Sequence, residues 1–148
     1  MNAALSKLHE IKNNTGSEWT IGLSDADITA FCEADATLVR AIDEAWELHQ
    51  SIQSEMDSEL LSLDERELIV RLQQDYVNFY PAACINTYVA MAGRGPWIIT
   101  SHGAVVHDNG GYGMLGMGHG PDDVIHAMQR NWVMANVMTP SYSQKRLA

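Results

Sequence analysis

Residues 110–121 read Gly-Gly-Tyr-Gly-Met-Leu-Gly-Met-Gly-His-Gly-Pro, six glycines in twelve positions. So dense a run cannot continue a helix or a central strand, because each glycine gives up more backbone freedom on folding than any other residue. It is a connection, and regular structure must lie on either side. Gly111, Gly113 and Gly116 match G-x-G-x-x-G, which in a dinucleotide fold joins a strand directly to a helix whose first amides hold a pyrophosphate. Here the next helix start, Gly120-Pro121-Asp122-Asp123, comes only after two further glycines. No Asp or Glu occurs from Val124 to Ala148 to hold a ribose, and no Lys-Ser/Thr follows the glycines as a P-loop requires. Glycine has a second use, close approach of main chain to main chain or to a flat ligand, and a merely flexible surface loop is the alternative. Tyr112, Met114 and Met117 between the glycines suit an ordered crossing beside a site.

The flanks give the coarse fold. Trp97-Ile98-Ile99-Thr100 predicts a strand, Ser101-His102-Gly103 a turn and Ala104-Val105-Val106-His107 a second strand, together a hairpin. Pro121 with two acids behind it predicts a helix, its buried face marked by Val124, Met128, Trp132 and Ala135. Thr139-Pro140 opens a last short helix. Upstream, Ser24 with Asp27 predicts a capped helix start, and Ile28, Cys32, Val39, Ile42, Trp46 and His49 keep helical spacing, with a break at Glu33-Ala34-Asp35. A second start at Ser62-Leu63-Asp64-Glu65 leads into Leu68, Ile69, Leu72 and Tyr76 and ends near Asn78, ahead of Tyr80-Pro81. The expected class is α+β: a loosely ordered polar lead-in over 1–23, an acidic helical region over 24–92, and a hairpin, glycine-rich loop and helix over 93–148.

Charge narrows the partners. The net charge is -10, and it is uneven: residues 1–92 hold sixteen acids against five bases, residues 93–148 three against four. Such a chain repels nucleic acid and anionic membrane, so neither is expected as a partner. No secretory leader pattern and no long apolar run occurs, and a cytoplasmic protein is expected. Cys32 and Cys84 make no C-x-x-C pair and are expected as free thiols.

From Gly95 onward the order of features is a hydrophobic strand, a glycine turn, a strand ending in Asp108, the glycine loop, Gly118-His119 with Pro121, a helix, then Gln144 with Leu147-Ala148. This resembles the N-terminal part of the class III aminotransferases, pyridoxal-phosphate (PLP) enzymes of fold type I. The acidic stretch 24–92 has no counterpart in that family, and Thr139-Pro140 stands where many members carry an aromatic residue, which implies a divergent subgroup with an added N-terminal region.

Transamination on PLP needs a lysine to bond the cofactor, an acid on its pyridine nitrogen and a phosphate cup. The chain has three lysines, Lys7, Lys12 and Lys145, none in an apolar setting that would lower its pKa. In the family these groups lie downstream of the matched region. The resemblance therefore implies the opening part of an enzyme that transfers an amino group between an amine or amino acid and a keto acid, silent as this chain alone and not holding PLP by itself. It further implies a homodimer whose N-terminal segment lines the substrate side, with Gly111, Tyr112, Met138 and Ser141 as the candidate contacts. His119 is expected as a hydrogen-bonding residue of the turn, with proton transfer as the alternative role.

Two other readings compete. His102, His107, His119 and His126 with Asp108, Asp122 and Asp123 could serve a metal enzyme, although their spacings match no tight ligand pattern. The acidic helices could instead form a non-catalytic module for a basic partner, but their apolar stripes demand a core. With further residues needed to cover them, the hairpin and the helix after Pro121 are expected to leave apolar surface open.

Overall fold

The computed structural model describes residues 2–55, 58–74, 87–109 and 116–129. Among them are six helices and one three-stranded antiparallel sheet, an α+β arrangement. Residues expected to be a loose lead-in form helix α1, Ala3–Asn13, whose first turn is capped by the Asn2 side chain accepting from Ala4 N at 3.0 Å. Ala4, Leu5, Leu8 and Ile11 recur on one face of it and are buried.

The following segment is tied down as well. Ser17 N donates to Asp64 Oδ1 at 2.8 Å, and Trp19 N and Thr20 N both donate to Glu65 Oε2, at 2.8 and 2.7 Å. The Thr20 hydroxyl donates to the other Glu65 oxygen at 2.9 Å. Glu65 is fully buried, and these three donors are what make a buried carboxylate tolerable. Gly16 is required by contact: a Cβ there would lie 2.3 Å from the Leu63 carbonyl oxygen.

Helix α2, Asp25–Ala34, starts where the sequence places it, with Ser24 Oγ accepting from Asp27 N. The break at Asp35 is also real. One Asp35 oxygen accepts from Thr37 N at 2.8 Å at the start of helix α3, Ala36–Glu55; the other accepts from the Trp97 indole at 2.6 Å. A single carboxylate thus caps α3 and anchors the sheet, and these hydrogen bonds, the indole's first, hold its pKa below the usual carboxylate value. Helix α4 covers Ser58–Ser62 and helix α5 Glu65–Gln73. On α5 Leu68 is buried, whereas Leu72, expected on the same face, is exposed; Tyr76 and Asn78 lie outside the described residues.

The predicted hairpin is present as strands β2, Trp97–Thr100, and β3, Val105–His107. A strand the sequence reading lacked, β1, Ala90–Arg94, pairs with β2 through Arg94↔Trp97, so the sheet order is β1-β2-β3. The hairpin's apolar face is covered, contrary to expectation. Trp97, Ile99 and Val105 join Leu8, Ile11, Ile28, Leu38, Ile42 and Ala45 in one core. Helix α6, Asp122–Met128, is the reverse case: it buries no residue, with Val124 37% and Met128 76% exposed, so the two positions expected to face a core do not; Trp132 and Ala135 lie outside the described residues. Among the described residues no helix is long and apolar enough to cross a membrane.

Candidate functional site

The described end of the glycine run is fastened to the β1–β2 turn. Gly95 and His119 form a two-way main-chain bridge, Gly95 N to His119 O at 3.0 Å and His119 N to Gly95 O at 2.7 Å. The other flank is fixed to the same turn, because Asp108 N donates to Pro96 O at 2.7 Å. The two flanks are then joined directly: His119 Nε2 lies 2.9 Å from Asp108 Oδ2. Gly118 makes the approach possible. Its φ is +73°, and a Cβ on it would lie 2.6 Å from the Gly95 Cα. The close-approach role read from the sequence holds here, main chain against main chain.

A charged network secures the far side. Arg94, on β1, donates from Nε and Nη2 to the two oxygens of Glu44 on α3, both at 2.8 Å, and from Nη1 to Gly120 O and to Asp122 Oδ1. Arg40, one turn before Glu44, donates to both oxygens of Asp122 at 2.5 and 2.9 Å and to Glu44 at 3.0 Å. The Arg40 hydrogen bonds bring the Asp122 carboxyl down to about 2, and Arg94 holds Glu44 below its ordinary range. Both guanidiniums are pushed up in turn, Arg94 chiefly by Glu44 and Arg40 chiefly by Asp122.

Between the start of α3 and this bridge lies an open cleft of about 400 Å³, lined by Thr37, Arg40, Arg94, Met117, His119 and Asp122 among others. Two arginines in a cleft suggest an anion site, yet here Glu44 and Asp122 take most of their donors and balance both charges. The network is a fastening between α3, β1 and the first turn of α6. His119 fits the hydrogen-bonding role expected of it, since its Nε2 is committed to Asp108.

Gly111, Tyr112, Met138 and Ser141, the four candidate substrate contacts, lie outside the described residues, as do Lys145 and Cys84. Asp108 and His119, quoted for the family resemblance, are brought together. Arg94, Glu44 and Arg40 were missed, and only the Arg40–Glu44 spacing of four carried a signal in the sequence. Of the residues weighed as metal ligands, only His119 and Asp108 are shown in side-chain contact with each other among the described residues. His102 is fully buried, hydrogen-bonded to Ser101 Oγ and donating from Nε2 to Leu63 O; His107 sits edge-on to Trp97, with centroids 4.7 Å apart. Among the described residues no three His, Cys, Asp or Glu side chains are placed to hold an ion together. Cys32 is a half-buried free thiol whose pKa is raised by burial and then by Asp35 and Asp43.

Neither lysine among the described residues has the setting that bonds PLP. Lys7 is paired with Asp43 at 2.8 Å and lies over the Trp46 ring; Lys12 is paired with Glu18 at 2.9 Å. Both ammonium groups are partly exposed and ion-paired, the opposite of the desolvated lysine that attacks an aldehyde at neutral pH. No family model, no curated protein and no solved structure matches the chain.

Proposed function

We propose that the chain provides the N-terminal, substrate-side portion of a PLP-dependent class III aminotransferase, acting in the cytoplasm as a homodimer on an amine or amino acid and a keto acid. The observation that supports this is the double fastening of the glycine segment: the Asp108 and His119 side chains on its two flanks are hydrogen-bonded at 2.9 Å, and Gly95 holds the His119 backbone. Fixed flanks on either side of such a segment are what substrate positioning needs, since a contact misplaced by an ångström loses much of its effect. The chain's own residues position and enclose; the lysine and phosphate cup that PLP chemistry requires come from elsewhere in the enzyme, in keeping with the paired state of Lys7 and Lys12.

The test is amino-group transfer by the natural gene product, purified with PLP present and offered a panel of amines and amino acids with pyruvate or 2-oxoglutarate. Transfer by that product, with no transfer and no retained PLP by residues 1–148 alone, is the expected result. A natural product that neither keeps PLP through dialysis nor moves an amino group sinks the reading.

A further inference from the structure

His49 lies in the helical stripe Leu38, Ile42, Ala45 and is fully buried. Among the described residues neither Nδ1 nor Nε2 has a hydrogen-bond partner. That is a poor use of a core position. A Leu or Phe would fill it without leaving two polar nitrogens dry, and buried polar atoms are otherwise paired as a rule. The other buried polar side chains show the rule at work: Glu65 has three donors, and His102 uses both ring nitrogens.

We infer that His49 is an acid-sensitive catch in the α1–α3 packing: a neutral imidazole sealed in the core, which takes up a proton only when the helices around it part. The inference stands on burial and missing partners and is independent of the proposed aminotransferase role. The charges nearby do not rescue the protonated ring. On α1, Glu10 accepts from Trp46 Nε1 at 2.7 Å and from Gln50 Nε2 at 3.0 Å, while Lys7 and Lys12 are paired with Asp43 and Glu18. On α3 itself Glu44 is held by Arg40 and Arg94, and Glu47 is exposed; Glu59 on α4 is exposed too. Burial depresses the His49 pKa, and the Glu10 charge, which acts the other way, is the smaller effect.

The sign follows. A histidine whose folded pKa is depressed leaves the unfolded chain holding more protons below the ordinary imidazole value of about 6.5. Stability is therefore complete above about pH 6.5 and falls on acidification, by up to about tenfold in the folding constant per pH unit while the folded pKa lies below the working pH.

The experiment compares urea unfolding of the full chain and of His49→Leu between pH 7.5 and 5. The other five histidines contribute equally to both proteins, so the difference between the two curves isolates position 49. The variant is expected to match or exceed the parent at pH 7.5 and to pull ahead by about tenfold in folding constant at a pH one unit below 6.5. Parallel curves overturn the inference. Should His49→Leu fail to fold, an NMR titration of the unaltered chain decides: the His49 ring signal is expected to stay in its neutral position until the protein itself unfolds. A His49 signal that titrates in the folded protein near the ordinary imidazole value overturns it equally.

Discussion

Replacing Ile11 by Ala asks whether α1 belongs to the core or merely rests on it. Ile11 is fully buried and sits in the cluster with Leu8, Leu38, Ile42 and Ile99. The change removes about three carbon groups, worth roughly 0.8 kcal/mol each in transfer from water. Their summed loss is about 2.4 kcal/mol, and the cavity left between α1, α3 and the sheet brings it to about 3–4 kcal/mol, within the range measured for such truncations. With a urea dependence of about 2 kcal/mol per molar, the midpoint should drop by roughly 1.5–2 M. The control is Ile21→Ala, the same chemistry at a side chain 97% exposed, expected within about 0.5 kcal/mol of the parent. Unfolding is followed by far-UV circular dichroism and tryptophan fluorescence, with equal slopes required for both variants. If Ile11→Ala loses less than about 1 kcal/mol relative to Ile21→Ala, α1 is not docked and the account of the core is wrong.

The same structure sets other outcomes. Gly118→Ala forces a Cβ onto the Gly95 Cα at a φ of +73° and should cost about 1–3 kcal/mol in thermal or urea unfolding; a neutral result would show that the bridge to Gly95 does not form. Glu65→Ala leaves Trp19 N, Thr20 N and the Thr20 hydroxyl without their acceptor and should cost about 3 kcal/mol, accompanied by faster amide exchange at residues 19 and 20; protection that stays unchanged there would contradict the role given to the carboxylate. In acid, Asp122, with its pKa near 2, and Glu44, also depressed, contribute stability that is full above the unfolded carboxyl values of about 4 and is lost as pH falls toward 2. Arg40→Ala, which frees Asp122 of its main partner, should flatten the decline of thermal midpoint between pH 4 and 2; a decline as steep as the parent's would rule out the arginine as the cause.

Local chemistry made part of this fold readable in one dimension. The Ser24 cap, the break at Asp35 and the hairpin over 97–107 are each set by a few adjacent residues, and all appear where the pattern puts them. The glycine spacing likewise announced a close main-chain approach, found at Gly118. Strand β1 was hidden because Ala-Met-Ala-Gly-Arg has no alternating pattern; only pairing with Trp97–Thr100 makes it a strand. Leu72 and Val124 were assigned to a core by spacing alone, and spacing cannot say whether a surface waits opposite.

The candidate site divides the same way. His119 and Asp108 drew attention as a motif, but their contact exists because the β1–β2 turn receives both flanks of the glycine run. Arg94 and Glu44 stand fifty positions apart, and nothing local to either foretells a bidentate pair. What the sequence determined by itself was the helix starts near Ser24, Asp64 and Pro121 and the break at Asp35, since these depend on neighbours within a turn of chain. Tertiary structure alone decided that Ala3–Asn13 is core, that Asp35 and Glu65 are junctions, and that two arginines fasten α3 to β1 and α6. Burial and charge pairing are properties of surfaces meeting, and those surfaces exist only once distant segments have been brought together.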